Sequence, residues 1–167
     1  MKRGAKLYLA VLVGVVLLMA STDVFAASAG LEAYNRGVKL HRQGKLDDAV
    51  QAYTAAVGAD PRLALAYVNR GSVWKQKGLI DQAITDYNTA LAINPKNDFA
   101  YYNRAGAWRA KGNLDQAIAD YSTAITLNPD LYIAYEQRGR TWQMKGNALN
   151  ARRDLQRAAL LQKKQGK

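Results

Sequence analysis

The chain has 167 residues, with 24 Lys and Arg against 13 Asp and Glu, for a net charge of +11. One His and no Cys exclude a disulfide framework, a thiolate metal site, a Cys nucleophile and a multi-His metal centre. Hydrophobic residues make up 49%, which suits one folded domain, and the basic excess invites a nucleic-acid or membrane-surface reading that net charge alone does not place.

Residues 1–26 read as a secretory signal peptide. Lys2, Arg3 and Lys6 form a basic start, Leu7–Ala20 is uncharged and apolar, and Val24-Phe25-Ala26 ends in small-x-small style. The apolar run is short for a bilayer core, which requires about 20 residues. Cleavage after Ala26 is the expectation, and the alternative is an anchor retained over residues 7–27. Either way the remainder is expected on the far side of a membrane, periplasmic or secreted.

From residue 30 onward one pattern recurs every 34 residues. Pro61, Pro95 and Pro129 keep that step, as do Gly44, Gly78, Gly112 and Gly146. Two Ala columns follow it: Ala49, Ala83, Ala117 and Ala151, then Ala56, Ala90, Ala124 and Ala158. Two bulky columns follow it too: Tyr53, Tyr87, Tyr121 and Leu155, then Leu40, Trp74, Trp108 and Trp142. Each unit holds two apolar-periodic segments. The Gly predicts a left-handed cap ending the first helix, and the residue before each Pro is pushed out of the α region and ends the second. A lone helix pair cannot bury its apolar face, so the units must stack.

The period and columns resemble the tetratricopeptide repeat, whose pattern the second unit follows in order with Tyr67, Gly71, Trp74, Ala83, Tyr87 and Pro95. Arg70 stands where that pattern has Leu, and Ala105 replaces the Gly in the third unit. The resemblance implies an all-α solenoid of eight helices in a right-handed stack, with repeats at 30–63, 64–97, 98–131 and 132–163 and a basic tail at 164–167. It also implies first helices lining a concave groove. Val50, Ile84 and Ile118 should receive the next unit, whereas Arg152 stands there in the last. The fourth repeat is therefore read as a cap, left partial by apolar Leu161, through which a weak dimer could form.

Arg36, Arg70, Arg104 and Arg138 recur at 34, and so do Asp86, Asp120 and Asp154, with Ala52 in the first unit. A partly buried Arg requires a partner, so Arg–Asp pairs joining the two helices are expected within a unit or with its neighbour, the alternative being an Arg ladder that binds a ligand. Asn35, Asn69, Asn103 and Gln137 precede those Arg by one. Carboxamides offer both donor and acceptor and suit the backbone of an extended peptide, the alternative being a role in helix packing. Leu31, Leu65, Phe99 and Ile133 lie one turn away, adjoined by Tyr34, Val68 and Tyr102, with His41, Lys75 and Arg109 further along. The family's clamp for C-terminal carboxylates is not expected, since Val38, Ser72 and Gly106 follow the Asn by three.

No catalytic set, cofactor motif, metal site or small-molecule substrate is expected. The glycines fall at repeat turns, and Asp47, Asp48, Asp81 and Asp115 begin second helices, where carboxylates favour the dipole. The charge divides unevenly: residues 1–26 carry +2, residues 27–137 carry +1, and residues 138–167 carry nine basic residues against Asp154 alone, or +8. The expected function is a non-enzymatic scaffold holding an extended peptide or partner protein in its groove, in assembly of an envelope complex. The alternatives are a membrane-anchored adaptor, or a module for acidic lipid or polyanion acting through Arg152, Arg153, Arg157, Lys163 and Lys164. Nucleic acid is disfavoured as a partner outside the cell interior.

Overall fold

The computed structural model describes residues 27–166; the signal segment and the final Lys lie outside them. The described residues form eight helices and no strands. These are α1 (residues 27–42), α2 (Leu46–Ala59), α3 (Ala64–Gln76), α4 (Ile80–Ile93), α5 (Asp98–Ala110), α6 (Leu114–Leu127), α7 (Tyr132–Met144) and α8 (Ala148–Gln165). Odd-numbered helices are the first of each pair and even-numbered helices the second.

The glycine column ends every first helix. Gly44, Gly78, Gly112 and Gly146 have φ between 74° and 83°, and among the described residues no other type has positive φ. The residue after each Gly donates its N–H five residues back, Leu79 to the Trp74 carbonyl at 2.9 Å for instance, which satisfies a carbonyl the helix leaves open. Asp60 and Asn94 end the second helices in extended backbone immediately before Pro, as the pre-proline restriction requires.

Packing within a pair rests on small residues facing large ones. Ala49, Ala83 and Ala117 are fully buried, and Tyr53, Tyr87 and Tyr121 lie beside them with at most 1% of their surface exposed. The Tyr rings press so closely on the first helix that a Cβ at Gly37 would stand 2.6 Å from Tyr53, and one at Gly71 2.8 Å from Tyr87. In the third repeat Ala105 occupies that place and packs against Tyr121, so the same contact is made by a methyl group. Burial raises the three phenol pKa values from 10.0 to about 12.

Between pairs, each second helix packs on the next first helix, and Ile84 and Leu91 of α4 share one core with Ala100 and Ala107 of α5. Successive first helices touch one another (α3 with α5, α5 with α7), whereas successive second helices do not. The stack therefore bends with first helices on its inner side, the arrangement that the resemblance implies.

Both ends lack the apolar column that joins repeats. Ala66, Ala100 and Ala134 are completely buried, whereas the first unit has exposed Glu32 there; Val73, Ala107 and Thr141 are buried where it has exposed Lys39. At the other end Arg152 is exposed where Ile84 and Ile118 are buried. Leu161 does not leave the cap partial as expected: it is 3% exposed, buried in the fourth repeat, and the apolar side chains left open near this end are Met144, Leu149 and Leu160.

Candidate interaction groove

The Arg column is bonded within the frame. Arg70 donates Nε and Nη2 to the two carboxylate oxygens of Asp86 at 2.8 and 2.7 Å, and Arg104–Asp120 and Arg138–Asp154 repeat that fork at 2.7–2.8 Å. Each side chain in these pairs is at most 21% exposed. The hydrogen bond to the partner carboxylate raises the pKa of Arg70 and of Arg104 further, against the opposing effect of burial. A third donor, Nη1, reaches the second helix of the preceding repeat: Thr54, Asn88 and Ser122 accept at 3.1, 2.7 and 2.9 Å. The columns left open whether the carboxylate comes from the same unit or its neighbour; it comes from the same unit, and the bond to the preceding unit is additional. Each guanidinium also lies over a Tyr ring (Tyr67, Tyr101, Tyr135) at 5.4–5.7 Å. Arg70, Arg104 and Arg138 each hold three helices together and are not a ligand ladder; Arg36, whose repeat has Ala52 in place of the Asp, is exposed.

A second ladder went unseen in the sequence. Lys77, Lys111 and Lys145, at the ends of first helices, pair with Asp47, Asp81 and Asp115 of the preceding repeat, Lys111 with Asp81 at 2.6 Å. The partners lie 30 residues apart, not 34, so comparing like places across units does not bring them together. Their columns were the available signal: both recur at 34 with opposite charge.

On the inner face the sequence-selected groove residues fall into two groups. Leu31, Leu65 and Phe99 are 51–52% exposed, an apolar stripe along one edge, and Asn35 is exposed beside it. The other carboxamides have internal partners: Asn69 donates to the Tyr34 hydroxyl at 3.1 Å, Asn103 to the Phe99 carbonyl at 2.9 Å, and Gln137 accepts from Arg109 Nη1 at 2.7 Å. His41 bonds Gln76 at 3.0 Å. The Asn69, Gln137 and His41 contacts tie first helices of neighbouring repeats together, whereas the Asn103 bond stays within α5. Asn69 and Asn103 still have their carbonyl oxygens, and Gln137 its amide N–H groups.

The centre of the face is cationic. Lys75 reaches across α3 onto α5, where its Nζ would stand 3.3 Å from a Cβ at Gly106. Gly there, in place of Val38, Ser72 or Arg140 in the other units, leaves the space the ammonium uses. Burial, with the nearby Arg109 charge adding to it, lowers the Lys75 pKa. Among the described residues no carboxylate pairs with Lys75 or Arg109, while Glu136 pairs with Arg140 at 2.6 Å. Tyr102, half-buried, packs on Tyr121 beside them with ring centroids 5.8 Å apart. The arrangement can accept an anion at its centre and apolar groups along its edge. The basic-end residues are elsewhere: Arg152, Arg153, Arg157, Lys163 and Lys164 are all exposed on α8.

Comparison with known proteins agrees with the geometry. Family models described as tetratricopeptide repeat match residues 34–98 and 99–131. The chain belongs to the tetratricopeptide repeat family. Among solved structures it is similar to MamA, with a TM-score of 0.77 and 25% identity over 82% of this chain and 80% of that one. It is also similar to the first tetratricopeptide domain of Spaghetti (RPAP3) bound to the HSP90 peptide SRMEEVD, with a TM-score of 0.70 and 29% identity over 72% and 95%. The domain of Arabidopsis OM64 gives a TM-score of 0.70 and 25% identity over 71% and 98%. No curated protein sequence matches significantly. Among the described residues no helix is long and apolar enough to cross a membrane, and no three His, Asp or Glu side chains cluster as metal ligands.

Proposed function

We propose that this tetratricopeptide protein is a protein–protein interaction scaffold that holds an extended, carboxylate-bearing segment of a partner along the inner face of its first helices. The observation that carries the reading is the pair Lys75 and Arg109. Two cations on adjacent first helices, one of them lowered in pKa by burial, have no carboxylate of their own. A buried charge without a partner is costly, and an acidic group from a partner removes that cost. Exposed Leu65 and Phe99 supply apolar area beside it, and the open amide atoms of Asn69, Asn103 and Gln137 suit a peptide backbone. The peptide-bound domain among the similar structures supports a peptide segment as the kind of partner. The frame positions side chains for contact, and the role proposed for it is binding.

The basic, apolar and small-x-small order of residues 1–26 supports export, and with it a partner in the cell envelope. Mass spectrometry of the mature N-terminus tests this: a start at Ala27 is expected, and an intact residue 7–27 segment would mean an anchored adaptor. For the groove, Asn69→Ala with Asn103→Ala, and separately Lys75→Gln with Arg109→Gln, should abolish recovery of partners by pull-down while helicity measured by circular dichroism is unchanged. Undiminished recovery with both pairs contradicts the groove reading.

A further inference from the structure

Outside the groove, the fourth repeat contains a cavity of about 510 Å³ between α7 and α8, lined by Tyr135, Trp142, Asn150, Arg153 and Arg157 over the Arg138–Asp154 pair. Its volume lies in the range of small-ligand sites. The same place in the second repeat is a cavity of about 420 Å³ lined by Arg70, Trp74, Asp81, Gln82, Thr85 and Asp86. One Arg there faces two Asp, whereas three Arg face one Asp in the fourth repeat, so the charge of the lining changes from −1 to +2.

Two columns produce the change. Arg153 stands where the preceding units have Gln51, Thr85 and Ala119, and Arg157 where they have Ala55, Thr89 and Thr123. Leu149 replaces Asp81 and Asp115, the carboxylates that elsewhere answer a Lys of the next repeat. Arg153 and Arg157 are one turn apart on one face of α8, a spacing at which like charges repel. Among the described residues neither has a carboxylate partner. Arg157 is held over the Tyr135 ring at 6.0 Å. Arg138 is fixed by Asp154 and Ser122, which uses the one carboxylate in the cavity and leaves the other two guanidinium forks open.

We propose that this cavity is a binding site for a phosphate ester, independent of the inner groove. Two open forks present more planar donor pairs than a single carboxylate can accept, whereas the several oxygens of a phosphate can take both. Trp142 and Tyr135 give the ester's organic part an aromatic wall. The ester comes either from a soluble molecule or from an anionic phospholipid headgroup.

The test uses the full chain and two double variants of equal charge. Arg153→Thr with Arg157→Thr restores the threonines of the second repeat, and Lys163→Thr with Lys164→Thr removes the same charge from the end of the same helix. Calorimetry with glycerol phosphate reads the soluble source. Flotation with phosphatidylcholine vesicles, with and without phosphatidylglycerol, reads the headgroup. The arginine variant should weaken binding by at least about tenfold, the effect of losing one charge-assisted hydrogen-bonding group, and the lysine variant by less than about twofold. Dependence on the arginines in calorimetry assigns a soluble ester, and dependence in phosphatidylglycerol vesicles alone assigns the headgroup. Equal loss with both variants, or no binding of either probe by the unaltered chain, overturns the site. All four positions are exposed, so unchanged melting should accompany every result.

Discussion

The second and third repeats and the fourth share one backbone frame but use their second helices differently. In α4 and α6 a buried Tyr fills the space under the first helix, Ile84 and Ile118 receive the next repeat, and Asp81 and Asp115 answer its Lys. In α8 these places hold Leu155, Arg152 and Leu149, and what was an interface becomes a solvated, cationic surface. The Arg138–Asp154 fork is retained unchanged. The difference separates two jobs that the repeat pattern combines: holding a helix pair together, and offering that pair to a neighbour.

The largest effect should come from the buried ring. Tyr87→Ala should cost about 3–5 kcal/mol, the range for deleting a buried aromatic side chain, whereas Leu155→Ala, at a half-buried end position, should cost about 2 kcal/mol. Chemical unfolding measures both, and equal losses would erase the distinction between interior and end. Next, Asp120→Ala should cost about 2–4 kcal/mol because it leaves Arg104 partly buried and unpaired. Asp154→Ala should cost a similar amount, since the fork is the feature the two regions share.

Arg152→Ile with Ala159→Ile rebuilds the apolar column at the end of the stack, where the third repeat has Ile118 and Ile125. Concentration-dependent self-association in sedimentation is the expected outcome, and a strictly monomeric variant would show that Arg152 does not act as a cap. Alkaline pH sharpens the comparison further. Tyr53, Tyr87 and Tyr121 titrate from 10.0 when exposed to about 12 when buried. The folded state holds their protons more tightly, so that stability is full below pH 10 and is lost as pH rises through about 12. Tyr87→Phe should shallow that loss, and Leu155 contributes none of it. The smallest effect belongs to the Lys–Asp rungs: Asp81→Ala, with 80% of the Asp81 side chain exposed, should change stability by less than about 1 kcal/mol.

Much of this frame is legible in the sequence alone. Glycine and proline columns marked the helix ends because each has one dominant backbone consequence, and Arg with Asp at matched places implied a pair because neither is buried alone. What was hidden has a common physical cause. Lys77 finds Asp47 through the curvature of the stack, which places the end of one first helix near the start of the preceding second helix, and a column comparison contains no curvature. Asn103 turns its amide back onto Phe99, a rotamer choice that leaves no trace in residue type. Lys75 depends on a missing side chain at Gly106, one repeat away, and residue type does not show which neighbour fills the space a glycine leaves. Leu161 was misplaced because α8 continues to Gln165, whose amide donates to the Asp130 carbonyl at 2.7 Å and holds the end of the helix against the turn before α7.

The central claim is that partners are held on the inner face of the first helices. A photo-crosslinking residue placed at Phe99, on that face, and another at Ala119, on the outer second helix α6, test it directly in the native cell. Both places are exposed, so reach alone does not distinguish them. The account predicts a discrete adduct from position 99 that disappears with Lys75→Gln and Arg109→Gln, and none from position 119. An adduct from position 119 alone, or one from position 99 indifferent to those two cations, would contradict it.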